Sequence, residues 1–350
     1  MIKNLQALRF IFILLIVISH LPKESFSFGG EGGVAFFFML SGFVLSYAYG
    51  NRILERQFDR KKFFLKQLCK LYPLHLLTFV LMVILNARIG HYYHWTKLLA
   101  NALLLQSWIP SNEFYFVANG ASWFLSDILF FYIMFPIIFP FLFKSSRGTL
   151  AVTGTIILVL YGWLASSIPY DMINPLLYAS PLTRLIDFSI GILTYRLFSS
   201  QVSALLRQRL NQRSTVFITA IEIAMVFLQV GTFFIYENAS WRFTCACLFW
   251  FTQPIILYVY AMTDQQQGIL SKFMHLPFMQ WLGSISFEIY LTHALVIRFF
   301  YSIMTSGGVR VESLQSLGGE AGLFITMILT GYITKRFFVD PIYSRFTKIM

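Results

Sequence analysis

Two residues in the opening apolar run, "LQALRFIFILLIVISH" at 5–20, have chemistry that lipid does not need: Arg9 and His20. A guanidinium offers a fixed cation to an anionic group. A neutral imidazole can take a proton from a hydroxyl. The two are eleven residues apart in the sequence, about 20° past three full helical turns, so they project from one helix face. Along the axis they are separated by about 16 Å. Ionisable groups inside an apolar span cost about 2.5–3.5 kcal/mol on insertion scales and mark functional sites by default. His293 in "FEIYLTHALV" is a second deep imidazole, one helical turn or so beyond Glu288 and Tyr290. Either histidine could serve as a general base.

Further polar residues within apolar runs are Ser41 in "FFFMLSGFVLS", Trp123, Ser126 and Asp127 in "SWFLSDILFFY", and Arg184 with Asp187 in "RLIDFSIG". Arg184 and Asp187 are spaced i, i+3, so the pair could simply neutralise itself. His75, His91, His94 and His275 fall at edges and loops and read as structural or interfacial. Neither deep histidine has an i, i+4 histidine partner or a carboxylate cluster nearby, so no metal is expected. Cys69, Cys245 and Cys247 have no metal-like spacing and read as small packing residues. Nucleophile-elbow, P-loop and dinucleotide motifs are absent from the sequence, leaving a soluble-enzyme mechanism without a foothold.

The elements that position these groups follow from composition. Of 350 residues, 57% are hydrophobic and only 12% charged, where soluble domains hold about 25% charged residues. Apolar runs at 5–21, 32–50, 68–87, 122–143, 149–167, 181–199, 214–236, 243–262, 281–303 and 319–338 predict an all-α, polytopic membrane protein of about ten spans in one domain, 1–350. The first run is read as a span rather than a cleaved signal, since "PKESFSFGG" at 22–30 offers no small-residue cleavage site. With both termini cytoplasmic, most of the 27 Lys and Arg fall on the inner side. Lys23, Arg88, Lys97, Arg242 and Arg310 fall outside, and Arg9, Arg184 and Arg298 lie within spans. This positive-inside pattern accounts for the net charge of +12 without nucleic acid. The basic loop "NRILERQFDRKKFFLK" at 51–66 reads as a topology determinant near anionic headgroups, or as a dock for a phosphorylated donor. The stretch 88–121, on the outer side, carries a largely apolar segment flanked by Trp95 and Trp108 that is short for a span and predicts an interfacial or re-entrant helix.

Six blocks in order resemble the membrane acyltransferase-3 family, bacterial enzymes that O-acylate extracytoplasmic glycans. The family's first-span Arg, followed eleven residues later by His, is met by Arg9 and His20. Its "FFVLSGF" block is similar to "FFFMLSGF" at 36–43, and its basic stretch ending in Tyr-Pro to "KQLCKLYP" at 66–73. Its "WSLSxExxFYxxFP" block is approximated by "WFLSDILFFYIMFP" at 123–136, and the Arg184–Gly191 segment and "SISFEIYLTH" at 284–293 complete the series. Three positions depart: Ala35 stands for the family's Asp, Ile128 for its Glu with Asp127 beside it, and Gln67 with Lys70 for an Arg-x-x-Arg pair. A lysine binds phosphate as a point charge, not as a bidentate fork.

The resemblance implies a bacterial inner-membrane enzyme that uses acetyl-CoA or another acyl-CoA as co-substrate and holds no permanent cofactor. Donor phosphates would meet Lys66, Lys70 and Arg9 from the cytoplasmic side. His20 would deprotonate a saccharide hydroxyl from the outer side, with Arg9, Ser41 or His293 stabilising the oxyanion. A covalent acyl-His20 intermediate is the variant route. Two other readings compete. A transporter or flippase of a lipid-linked or polar solute would use the same buried charges, although the chain has no internal repeat. A sensory or assembly protein would have kept the fold and lost the activity.

Overall fold

A chain this apolar has to satisfy its backbone hydrogen bonds within each segment, and helices do that. The computed structural model describes residues 2–21, 30–306 and 317–349. Lys23 and Arg310, and nearly all of the 22–30 segment, lie outside the described residues. The principal helices are α1 (Lys3–Ser19), α2 (Gly30–Leu54), α3 (Arg60–Arg88), α4 (Trp95–Ala102), α5 (Trp123–Lys144), α6 (Arg147–Ser167) and α7 (Pro181–Phe198). They continue as α8 (Thr215–Asn238), α9 (Phe249–Met262), α10 (Pro277–Ser284), α11 (Ser286–Ser306), α12 (Leu317–Thr334) and α13 (Asp340–Ile349). No strand occurs among the described residues.

Among the described residues, 6 helices are long and apolar enough to cross a membrane: Gly30–Leu54, Arg60–Arg88, Gly120–Lys144, Arg147–Ser167, Thr215–Asn238 and Gly318–Lys348. A pair bent by 43°, Tyr170–Tyr178 with Pro181–Phe198, makes a seventh if counted as one broken span. The other expected spans fall on α1 (17 residues), on α9 (14 residues) and on α11, which carries Glu288, His293 and Arg298. α4, with 8 residues, reaches only about 12 Å and cannot cross. Its Trp95 and Leu99 are exposed, as are Leu103, Leu105 and Trp108 just beyond it. Tyr72 Oη donates to the Ala102 carbonyl (2.9 Å), and Asn101 Nδ2 donates to the Val117 carbonyl (2.9 Å), tying this segment to α3 and to the chain that enters α5. Lys97 Nζ donates to Glu113 Oε2 at 2.6 Å in the same segment, and this contact holds the Glu113 carboxyl below the usual carboxylate range.

Side-chain capping starts three of these helices. Asp59 accepts from Lys62 N, Ser146 from Thr149 N and Ser214 from Phe217 N, each satisfying an orphan amide of the first turn. Depth in the bundle follows residue size and polarity. α2 is central, with 67% of its apolar window buried, whereas α6 is peripheral at 11% and presents Val152, Ile156 and Val159 outward.

Three glycines set how closely the central helices approach. A Cβ on Gly191 of α7 would lie 1.9 Å from the Met39 carbonyl oxygen, and one on Gly42 of α2 would lie 2.1 Å from that of Phe188. A Cβ on Gly283 of α10 would lie 2.0 Å from the Gln6 carbonyl oxygen of α1. Backbone cannot rotate away from such a contact as a side chain can, so these glycines let α2 seat on α7 and α1 on α10. Gly191→Ala is expected to lower stability by about 1–3 kcal/mol through overpacking, read as a fall in the detergent unfolding midpoint. Gly154→Ala on α6, where a Cβ meets nothing within 4 Å, should leave the midpoint unchanged; equal shifts for the two variants would show the contact to be unimportant.

Candidate active site

α1 runs between α2, α10 and α11, so its polar stripe faces into the bundle. Its two ends open on different cavities. At the Arg9 end a cavity of about 130 Å³ is lined by Arg9 of α1, Ser41 of α2, Lys70 of α3, Ile128 and Tyr132 of α5, Glu288 of α11 and Lys335 just past α12. At the His20 end a cavity of about 460 Å³ is lined by His20, Glu31, Trp123, Asn174, Tyr178, Trp241 and His293, among others. Ile16, Val34 and Tyr290 line both, forming the wall between them.

Local geometry sets the proton positions at the His20 end. His20 caps the C-terminus of α1, and its Nδ1 lies 2.7 Å from the Ile16 carbonyl oxygen. A carbonyl only accepts, so Nδ1 carries the proton and Nε2 presents a lone pair. His20 is exposed to its cavity, and among the described residues its Nε2 has no partner. His293 repeats the arrangement one element away: its Nδ1 donates to the Tyr290 carbonyl, and among the described residues its buried Nε2 has no partner. The two imidazoles meet edge to face, with ring centroids 5.0 Å apart and planes at 69°. α11 is held at this turn by Asn119, whose Nδ2 donates to the Leu291 carbonyl (2.8 Å), and by Tyr290 Oη donating to the Ala121 carbonyl (2.9 Å). Aromatic rings form one side of the chamber: Trp123 and Tyr178 lie with centroids 5.0 Å apart, and Tyr178 and Trp241 at 6.4 Å.

The Arg9 end is cationic. Arg9, Lys70 and Lys335 come from three helical segments and face one carboxylate, Glu288. Arg9 Nη1 lies 3.4 Å from Gln6 Oε1, and Lys335 Nζ lies 3.6 Å from Glu288 Oε1. Three cations against one carboxylate leave a net positive chamber suited to a polyanionic group.

The residues singled out in the sequence therefore divide. Arg9, Ser41, Lys70 and Glu288 come together at one end; His20, His293 and Trp123 at the other; Tyr290 borders both. Lys66 is exposed and lines neither cavity, one turn before Lys70 on α3. Ser126 and Asp127 are buried beside the site without lining either cavity. Arg184 and Asp187 also line neither: they pair at 2.9 Å, fully buried. Arg184 still acts on the site, because its guanidinium lies 4.8 Å from the Tyr178 ring centroid and its Nε donates to the Tyr178 carbonyl at 2.5 Å. Among the oxyanion candidates, Arg9 and Ser41 lie at the opposite end from His20, while His293 shares its chamber.

Glu31, Tyr178, Asn174, Trp241 and Lys335 were not legible as site residues. Two of them left traces in the sequence. Glu31 in "GGEGGVAFF" stands one helical turn before Ala35, and Lys335 is the first cation of the last apolar run, near its end.

Fold and site together define a polytopic helical membrane protein with a cationic chamber and a histidine chamber set end to end. The chain belongs to the acyltransferase-domain family, acyltransferase-3, whose match extends over residues 2–336. It is similar to the acyltransferase MdmB of Streptomyces mycarofaciens, 25% identical over 352 residues, which cover 91% of this chain and 86% of the relative. No solved structure matches the chain.

Proposed function

We propose that this membrane acyltransferase moves an acyl group, acetyl foremost, from cytoplasmic acyl-CoA to a hydroxyl of an extracytoplasmic saccharide, with His20 as general base. In this reading the chain makes ten passes through the bacterial inner membrane, with both termini cytoplasmic. The observation that carries it is the common wall: the cationic chamber at Arg9 and the histidine chamber at His20 both abut Ile16, Val34 and Tyr290.

The donor's phosphates sit among Arg9, Lys70 and Lys335, and its thioester reaches past Tyr290 toward His20. The acceptor sugar packs its apolar face on Trp123 and Tyr178 and hydrogen-bonds to Glu31 and Asn174. Its hydroxyl proton passes to His20 Nε2 as the oxygen attacks the thioester carbonyl carbon. The tetrahedral intermediate collapses by breaking the C–S bond, and the imidazolium returns the proton to the leaving thiolate. Holding donor and acceptor on one axis replaces an encounter in solution with a positioned one.

The test supplies labelled acetyl-CoA to inside-out membrane vesicles containing the protein, together with the host's envelope glycans. The expected result is alkali-labile label on saccharide, with free CoA thiol released in equal amount. Solute movement with no thiol release would replace this reading with the transporter one.

A further inference from the structure

We propose that Glu288 is a built-in counter-ion that occupies the donor's phosphate place when the cationic chamber is empty, and that Lys335 is the cation that exchanges it for phosphate. This rests on the acyl-CoA reading above and deepens it.

Four observations carry it. Glu288 is buried, 3% exposed, yet among the described residues its Oε2 has no hydrogen-bond partner and its Oε1 lies 3.6 Å from the Lys335 ammonium. That is a contact of charges, longer than a charge-assisted hydrogen bond of about 2.7–2.9 Å. Second, both groups line the cavity with Arg9 and Lys70, so the carboxylate faces the space an anion would enter rather than a packed core. Third, Lys335 is shared: its Nζ also lies 3.6 Å from Asp340 Oδ1, on a side chain 50% exposed. An ammonium held loosely by two carboxylates is free to turn from one partner to another. Fourth, Lys335 opens a π-helical turn, Lys335–Val339, that leads into Asp340 and Pro341. Pro341 has no N–H for the carbonyl four residues earlier, and the widened turn absorbs that gap. The chain is thus locally loosened where Lys335 has to re-aim.

Electrostatics gives the direction. With Glu288 in place the chamber carries three cations and one anion. An entering phosphate contacts all three cations only when Lys335 leaves the carboxylate, and Glu288 itself repels the phosphate throughout. Glu288 therefore lowers affinity for the donor and for free CoA alike, which speeds release of the product CoA. Lys335 raises affinity for both.

The two roles predict opposite signs for two changes that each remove one charge. CoA binding to the purified full-length protein in detergent is measured directly, with inorganic pyrophosphate as competitor. Lys335→Gln is expected to weaken CoA and pyrophosphate binding about tenfold, the loss of one charge-assisted contact. Lys335→Arg should restore most of it. Glu288→Gln is expected to tighten binding of both ligands severalfold and to make turnover more sensitive to inhibition by free CoA. A merely structural Glu288, needed to hold Lys335 in place, makes Glu288→Gln weaken binding in the same direction as Lys335→Gln, and that result overturns the proposal. So does CoA binding that changes less than twofold in Lys335→Gln, which leaves the donor reading standing. Wild-type protein that binds neither CoA nor pyrophosphate overturns both.

Discussion

His20→Gln is expected to lower the rate of acyl transfer by about 10²–10⁴-fold, the range for losing a general base, while leaving the affinity for acyl-CoA unchanged. The separation of the two effects follows from the geometry. Arg9, Lys70 and Lys335, proposed to hold the donor's phosphates, line the Arg9 cavity, and His20 lines the other. Glutamine keeps a polar group in the chamber but cannot accept the hydroxyl proton. The substitution should not unfold the protein, because the hydrogen bonds of the His20 ring are local to α1, to the Ile16 carbonyl and to Ser19 Oγ. Across helices its ring meets His293 edge to face. Initial rates against acyl-CoA concentration separate kcat from KM, and a thermal unfolding curve checks the fold. A variant that retains more than about a tenth of the wild-type kcat shows that another group takes the proton.

The largest effect on stability is expected from Arg184→Ala, with a loss of about 3–5 kcal/mol, the cost of leaving one member of a buried ion pair alone. Arg184 is fully buried and serves three acceptors: Asp187 Oδ2 at 2.9 Å, the Tyr178 carbonyl at 2.5 Å and the Cys245 carbonyl at 3.1 Å. Alanine strands the Asp187 carboxylate, which is itself fully buried. The double variant Arg184→Met with Asp187→Leu removes the uncompensated charge and should recover part of the loss. Denaturant unfolding in detergent reads both. Because Arg184 also stacks on Tyr178, a lining residue of the histidine chamber, the single variant should lose activity in proportion to its displaced aromatic wall. If Arg184→Ala unfolds at the wild-type midpoint, the pair contributes nothing and the i, i+3 spacing is incidental.

Comparing particular residues shows where sequence reading reaches its limit. Asp127 and Ile128 are neighbours and so point about 100° apart on a helix. That angle is readable, but not which of the two directions faces a cavity; Ile128 lines the Arg9 chamber and Asp127 does not. Lys66 and Lys70 share a face of α3 and both are exposed, yet one turn along the helix decides that Lys70 lines the chamber and Lys66 does not. Lys335 counted in the sequence only as one more inner-side charge, and Glu31 carried no expectation at all. Their roles depend on neighbours hundreds of residues away.

By itself, the sequence determined what local backbone geometry controls. Twenty-residue apolar runs have to be helical in lipid, and a period of 3.6 residues puts Arg9 and His20 on one face about 16 Å apart. Their separation into an arginine end and a histidine end was therefore legible, as was the family. Only the tertiary structure decided what the two ends meet. Packing α2, α10 and α11 against α1, and α12 against α11, brings Glu31, His293, Glu288 and Lys335 around the two ends of α1. The physical reason is range: hydrogen bonds within a helix are set by residues four apart, whereas convergence on a cavity is set by how closely whole helices can pack.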